Sequence, residues 1–319
     1  LDQEEIMSRI ETSGEILSPF AAGTAFIDGA YVPVADARIP ITDWGFLHSD
    51  VTYDVVAVWG GGFFRLDDHL DRFFRGIGKL HMRAPHDRAA MTEILSECVR
   101  RSGLREAYVK MTLTRGTPPP GSRDPRDCEN QFHAFAIPYV WIAPLEKQDQ
   151  GLHLTVSGVP RIAPESVDPT VKNFHWGDMV RGLYEAYDRG GDTAVLTDGK
   201  GNITEGPGFN LFASIGGLLI TPADGVLRGI TRKTVIELAE SLNIKVEVRT
   251  LAEAELRQAG EIFISSTAGG VMPVTKLDDK PVGDGGPGPL TLRLRQMYWD
   301  AHDDGKYVTR IDYLSSRSN

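Results

Sequence analysis

The stretch GITRKTVIELAESLNIKVEVRT, residues 229–250, carries two periods in succession. Val235, Ile236, Leu238, Ala239 and Leu242 fall on one helical face, and then Ile244, Val246 and Val248 alternate with Lys245, Glu247 and Arg249 at the period of a strand. The same mixture extends outward. Toward the N-terminus, short strands and Gly-Asp turns fill 193–220, a helix is expected over about 176–189 and a strand near 152–158. Before them IAPLEKQDQG (142–151) is polar, carries little periodic pattern and reads as a linker.

The first half repeats a hairpin plan. TAFIDGAYVPV (24–34) is two short strands around Asp28-Gly29, a dipeptide that supplies the positive φ angles of a tight turn. YDVVAVWGGGFFRL (53–66) does the same with three glycines at its turn. Leu66, Leu70, Phe73, Phe74, Ile77 and Leu80 then mark a helix with Asp67 as its cap, and a second helix is expected over about 88–101, carrying Cys98. Strands follow near 107–114 and 132–140, separated by the loop TPPPGSRDPRD (117–127). Residues 1–20 read as a short helix or arm.

These elements predict an α+β chain with mixed sheets and hairpins. Two domains are expected, at 21–141 and 152–319, joined over 142–151. There is no regular βαβ series and no GxGxxG opening a helix, so a dinucleotide fold is disfavoured.

Bulk composition narrows the function. The 319 residues carry a net charge of −10, which argues against a nucleic-acid partner. No apolar run approaches a membrane span, and the acidic N-terminal residues lack the order of a signal peptide. Two cysteines, Cys98 and Cys128, cannot build a disulfide framework and are expected as free thiols. The expectation is a soluble, cytoplasmic protein.

Chemistry centres on DPTVKNFHWGD (168–178). Lys172 precedes Phe174 and Trp176, with no acid until Asp178. Local sequence alone favours an ion-pair residue, while a buried amine would have a lowered pKa and would condense with carbonyls. Three other segments bear on the choice. LRGITRK (227–233) places Ile230 and Thr231 at a helix N-terminus, which binds anions, although Thr231 as a plain N-cap is as common. SSTAGGVMP (265–273) offers hydroxyls and glycines in a turn that could wrap an anion or could merely join a strand to a helix. NITEGPGFNLF (202–212) sets Glu205 among short apolar strands, either to hold a proton on a ring nitrogen or as a strand-edge residue. A lysine, a carboxylate and a phosphate cup together describe a pyridoxal phosphate site.

DARIPITDWGFLHSDVTYDVVAVW, FFRLDDHLDRF, DPTVKNFHWGD, TEGPGFN, GVLRGITRKTV and STAGGVMPV occur in one order across about residues 20–315. In these blocks the chain resembles the fold type IV pyridoxal phosphate enzymes, the branched-chain and D-amino acid aminotransferases. It looks most like the (R)-selective amine transaminases. The resemblance implies a smaller N-terminal α/β domain, a larger C-terminal domain with a barrel-like mixed sheet, and the cofactor between them. It also implies a homodimer whose active sites borrow loops from the partner.

Carried over by motif, Lys172 would form the Schiff base, Glu205 would pair with the pyridine nitrogen, and Arg72 would bind the phosphate with Ile230, Thr231 and Thr267. His48, Tyr53, Val55, Trp176 and Ala268 match the substrate pocket, and Phe64 and Tyr108 are expected to add apolar walls. Fungal members carry a carboxylate-binding arginine in the loop matching 117–123. This chain reads TPPPGSRD there, which leaves Arg123 as the nearest substitute. The implied reaction is ping-pong transamination from an (R)-amine to a keto acid such as pyruvate. The alternatives are D-amino acid or branched-chain aminotransferase chemistry, or a lyase on the same fold.

Overall fold

The computed structural model describes residues 18–314, so most of the expected arm at 1–20 lies outside the described residues. The chain opens with β1 (Thr24–Ile27), β2 (Ala30–Pro33), α1 (Trp44–His48), β3 (Val51–Trp59), β4 (Gly62–Phe64), α2 (Leu66–Lys79), α3 (Arg88–Ser102), β5 (Ala107–Thr114) and β6 (Gln131–Pro138). The polar connection holds a short helix, α4 (Leu145–Gln150). Next come β7 (Leu152–Pro160), α5 (Gly177–Asp188), β8 (Thr193–Thr197), β9 (Asn210–Ile215), β10 (Leu218–Pro222), α6 (Ile230–Ser241) and β11 (Val246–Arg249). The chain closes with α7 (Glu253–Leu256), β12 (Glu261–Ser266), β13 (Gly270–Leu277), β14 (Lys280–Pro281), α8 (Pro289–Asp300) and β15 (Val308–Arg310).

Two sheets result, and the fold is mixed α+β. The first has the order β15-β4-β3-β5-β6-β1-β2 and is antiparallel throughout. Asp28 and Gly29 take φ of 50° and 76°, the left-handed pair that the β1–β2 turn requires. The second runs β11-β10-β9-β12-β13-β7-β8, with β14 beside β13, and is mixed: β10–β11, β7–β13 and β7–β8 are parallel. The readable stretch becomes α6 followed by β11, an edge strand with Val248 exposed.

The first core lies between its sheet and helices α2 and α3. Leu66, Leu70, Phe73 and Ile77 of α2 meet Val56, Val58 and Phe63 of the sheet. Each such side chain contributes roughly 1.5–3 kcal/mol by leaving water. Cys98 is buried in this core, and both cysteines are free thiols. In the second sheet Phe212 and Phe263 lie opposite each other and stack at 4.9 Å, packed under α6 and α8. Among the described residues no helix is long and apolar enough to cross a membrane.

Asp67 does not cap α2. The chain leaves β4 through Arg65, which occupies the cap position in a left-handed conformation and makes no side-chain cap. Asp67 therefore falls inside the first turn, where its charge still suits the positive end of the helix dipole. Phe64 does not wall a pocket. It stacks on His302 at 3.8 Å and packs against Tyr298, because α8 and the residues after it cover that end of the sheet.

Candidate active site

A cavity of about 610 Å³ lies where the two sheets meet. Tyr53 and Val55 of β3, Arg72 of α2 and Tyr108 of β5 wall it from one side. Lys172, Trp176, Glu205 and Asn210, then Leu227, Gly229, Ile230 and Thr231, and the turn at 266–268 wall it from the other.

Lys172 stands on the irregular segment between β7 and α5. Its carbonyl accepts from the Tyr53 N–H at 3.1 Å and from Thr52 Oγ1 at 3.0 Å. Its Nζ sits 4.8 Å from the centre of the Tyr53 ring, with no carboxylate salt-bridged to it among the described residues. Burial, then the Arg72 guanidinium, brings the amine down to about 8, against weaker opposition from Asp54 and Glu205. Lys172 is thus a half-buried amine facing an aromatic ring and not an ion-pair residue, with its pKa lowered from the ordinary lysine value.

The basic wall is held by a buried triad. Asp54 is wholly enclosed within β3 and accepts from Arg72 Nε at 2.8 Å and Nη2 at 2.7 Å. His69 Nδ1 lies 2.8 Å from the same carboxylate. Burial alone would raise the Asp54 carboxyl, but Arg72 and His69 hold it far below the usual range. Arg72 also donates to the Arg228 carbonyl at 3.2 Å, which ties it to the start of α6.

Gly229 occupies the cap position of α6, and no side chain caps that end, so the first amides of the helix are free of an N-cap. A side chain at Gly229 would collide with Asn210 Oδ1. Thr231 sits inside the first turn rather than capping it. The turn at 267–269 joins β12 to β13, so it is a hairpin and not a strand-to-helix turn. Tyr139 donates to the Thr267 carbonyl at 2.6 Å and the Ile142 N–H to the Ala268 carbonyl at 2.7 Å.

Glu205 is 5% exposed. Arg161 Nη2 donates to its Oε1 at 3.1 Å, and the Leu227 N–H to its Oε2 at 2.8 Å. Burial raises this carboxyl above its ordinary value despite these donors. Arg161 is itself held by Asp178, so it bridges two carboxylates.

Of the residues singled out in the sequence, Tyr53, Val55, Arg72, Tyr108, Lys172, Trp176, Glu205, Ile230, Thr231, Thr267 and Ala268 line the cavity. His48 does not: it lies exposed on α1 with its ring 4.9 Å from Trp44. Arg123 also stands away, exposed in the 117–127 loop. Asp54, His69, Arg161 and Lys110 belong to the site or its supports without standing out among the motifs. A lone carboxylate inside the apolar run VTYDVVAV, with His69 and Arg72 three apart on the next helix, was a usable signal for the triad. Lys110 has its Nζ 4.4 Å from the Tyr53 ring and 4.5 Å from the Phe174 ring, and burial, then Lys172, lowers it to about 8.

The family model for amino-transferase class IV matches residues 52–277. The branched-chain-amino-acid aminotransferase of Pseudomonas aeruginosa is 28% identical over 286 residues, 87% of this chain and 92% of that protein. The D-alanine aminotransferase of Listeria monocytogenes is 29% identical over 268 residues, 82% of this chain and 90% of its own. Among solved structures, the branched-chain amino acid aminotransferase from Thermobaculum terrenum in its PLP-form superposes with a TM-score of 0.82 at 25% identity, covering 91% of this chain and 98% of that one.

Proposed function

Because the chain belongs to the class IV aminotransferases, enzymes that work with pyridoxal phosphate, we propose that it moves an amino group from an (R)-configured primary amine to a keto acid such as pyruvate. The donor set suits the cofactor. Arg72, the uncapped N-terminus of α6 with the Thr231 hydroxyl, and the Thr267 turn would take the phosphate. Glu205 would face the ring nitrogen, and Lys172 would bond the aldehyde carbon. When bound, the cofactor supplies an electron sink that makes the substrate Cα–H acidic.

The chain's own groups do the rest. Lys172, its amine brought down to about 8, would take the Cα proton and deliver it across the shared nitrogen to the carbon that carried the aldehyde. Glu205, with its raised pKa, holds a proton at the ring nitrogen while Arg161 fixes its orientation. Tyr53, Val55, Tyr108 and Trp176 wall the substrate space and exclude water. The half-reactions alternate in ping-pong order.

One observation favours an amine over an amino acid as donor. The cationic groups lining the cavity are largely committed: Arg72 to Asp54, Arg161 to Asp178 and Glu205, Lys147 to Asp192. Among the described residues lining it, no guanidinium is left over to grip a carboxylate present in every substrate. The second reading, a D-amino acid or branched-chain aminotransferase, draws on what the relatives are named for. We further propose a cytoplasmic homodimer. Ile41, Phe46 and Leu47 are exposed beside His48, an apolar face suited to a second copy that would receive His48 near its own cavity.

The test is the visible absorbance of the holoenzyme with (R)-1-phenylethylamine and no acceptor. Conversion to the pyridoxamine form with the (R)-amine and none with the (S)-amine is the expected outcome. Conversion with D-alanine or a branched-chain amino acid alone would overturn the amine reading in favour of the second.

A further inference from the structure

Neighbouring residues of β3 point to opposite faces of the sheet. Tyr53 turns its ring to the cavity, and Thr52 turns its side chain toward α2. The Tyr53 backbone N–H and the Thr52 hydroxyl converge on one atom, the Lys172 carbonyl. Thr52 is 1% exposed, so its hydroxyl has no water to fall back on.

The room for this arrangement comes from Gly76 in α2. A Cβ there would lie 2.8 Å from Thr52 Oγ1 and 3.6 Å from Val171 Cγ1. Gly76 lies inside an α-helix and is not among the residues with positive φ, so turn geometry does not call for glycine. Glycine inside a helix costs about 1 kcal/mol relative to alanine. Close approach of Thr52 and the 171–172 segment is what its missing side chain permits.

We propose that Thr52 and Gly76 are positioning residues for Lys172, seating its backbone so that the amine reaches the reacting carbon. The inference rests on the reading of Lys172 as the proton-transferring amine. Proton transfer needs the base within hydrogen-bond reach, and a misplacement of about 1 Å can cost on the order of a hundredfold.

The experiment compares Thr52→Val, Thr52→Ser and Gly76→Ala as holoenzymes. Thr52→Val keeps the shape and deletes the donor. It should lower kcat about tenfold with KM for the amine within about twofold, and move the pH midpoint of the bound cofactor's visible absorbance. Thr52→Ser restores the donor and should recover most of both losses. Gly76→Ala should shift both readouts the same way, although helix propensity alone favours alanine. Wild-type kcat and absorbance midpoint in Thr52→Val would overturn the inference. So would Thr52→Ser as impaired as Thr52→Val, or a lowered thermal midpoint with an unmoved absorbance midpoint. If Gly76→Ala fails to fold, the valine and serine pair still decides. Turnover in Lys172→Ala would instead sink the underlying reading.

Discussion

Arg72 and Glu205 face one cavity from two walls that are built differently. The basic wall comes from a single stretch: Asp54 on β3, then His69 and Arg72 on the helix after the next strand, within one hairpin-and-helix unit. The acidic wall is assembled from separate segments, with Arg161 after β7, Glu205 before β9 and Leu227 before α6. Local assembly makes the first wall a property of its own sheet. The second exists only when three connecting segments of the second half are brought together.

That difference sets what each wall should lose on mutation. Lys172→Ala should reduce turnover by on the order of a thousandfold or more while the protein still binds cofactor through the phosphate groups. Near-normal turnover would break the comparison, because the amine would not be the shared working group. Glu205→Ala should cut turnover by about a hundredfold, with little change in cofactor capture, from loss of the proton held at the ring nitrogen. Equal losses in kcat and cofactor affinity would mean that the acidic wall binds as well as tunes.

Asp54→Ala strips a buried arginine of its partner, so it should lower stability by on the order of 3 kcal/mol and weaken cofactor binding together. A loss of activity at unchanged thermal midpoint would put Asp54 in the chemistry rather than in the scaffold.

The smallest expected effect concerns Lys110. Its folded pKa is about 8 against about 10.5 when unfolded, so the unfolded chain binds more protons between those values. Stability should therefore rise with pH across that window. Lys110→Met should raise the thermal midpoint most below pH 8, worth roughly 1–3 kcal/mol, with the gain vanishing near pH 10.5. A gain independent of pH would trace to packing instead.

Legibility in the sequence followed the same division. The hairpin at Asp28-Gly29, the apolar face of α2 and the helix-to-strand switch at Leu242 are local patterns, and each appears where its period places it. Around Lys172 the local sequence shows only a lysine among aromatics, and it is the order of the six motif blocks that points to its role. Whether it met an acid or a ring depended on β3, which no local pattern around 168–178 specifies. Phe64 alternates correctly in its strand, but which layer covers it is decided by α8, more than two hundred residues later. Arg161 escaped notice because its partners, Asp178 and Glu205, are brought together only by the folded second sheet.

The strand β15 gives the chain a timing constraint. Val308–Arg310 pairs with β4 at the edge of the first sheet, so a sheet begun at residue 24 is completed by residue 310. On the ribosome the first sheet must wait with β4 unpaired on its outer edge until almost all of the second half has been made. The closing contact joins strands more than two hundred residues apart, the kind of long-range pairing that slows folding. An exposed strand edge during that interval is where a chaperone would have most to cover.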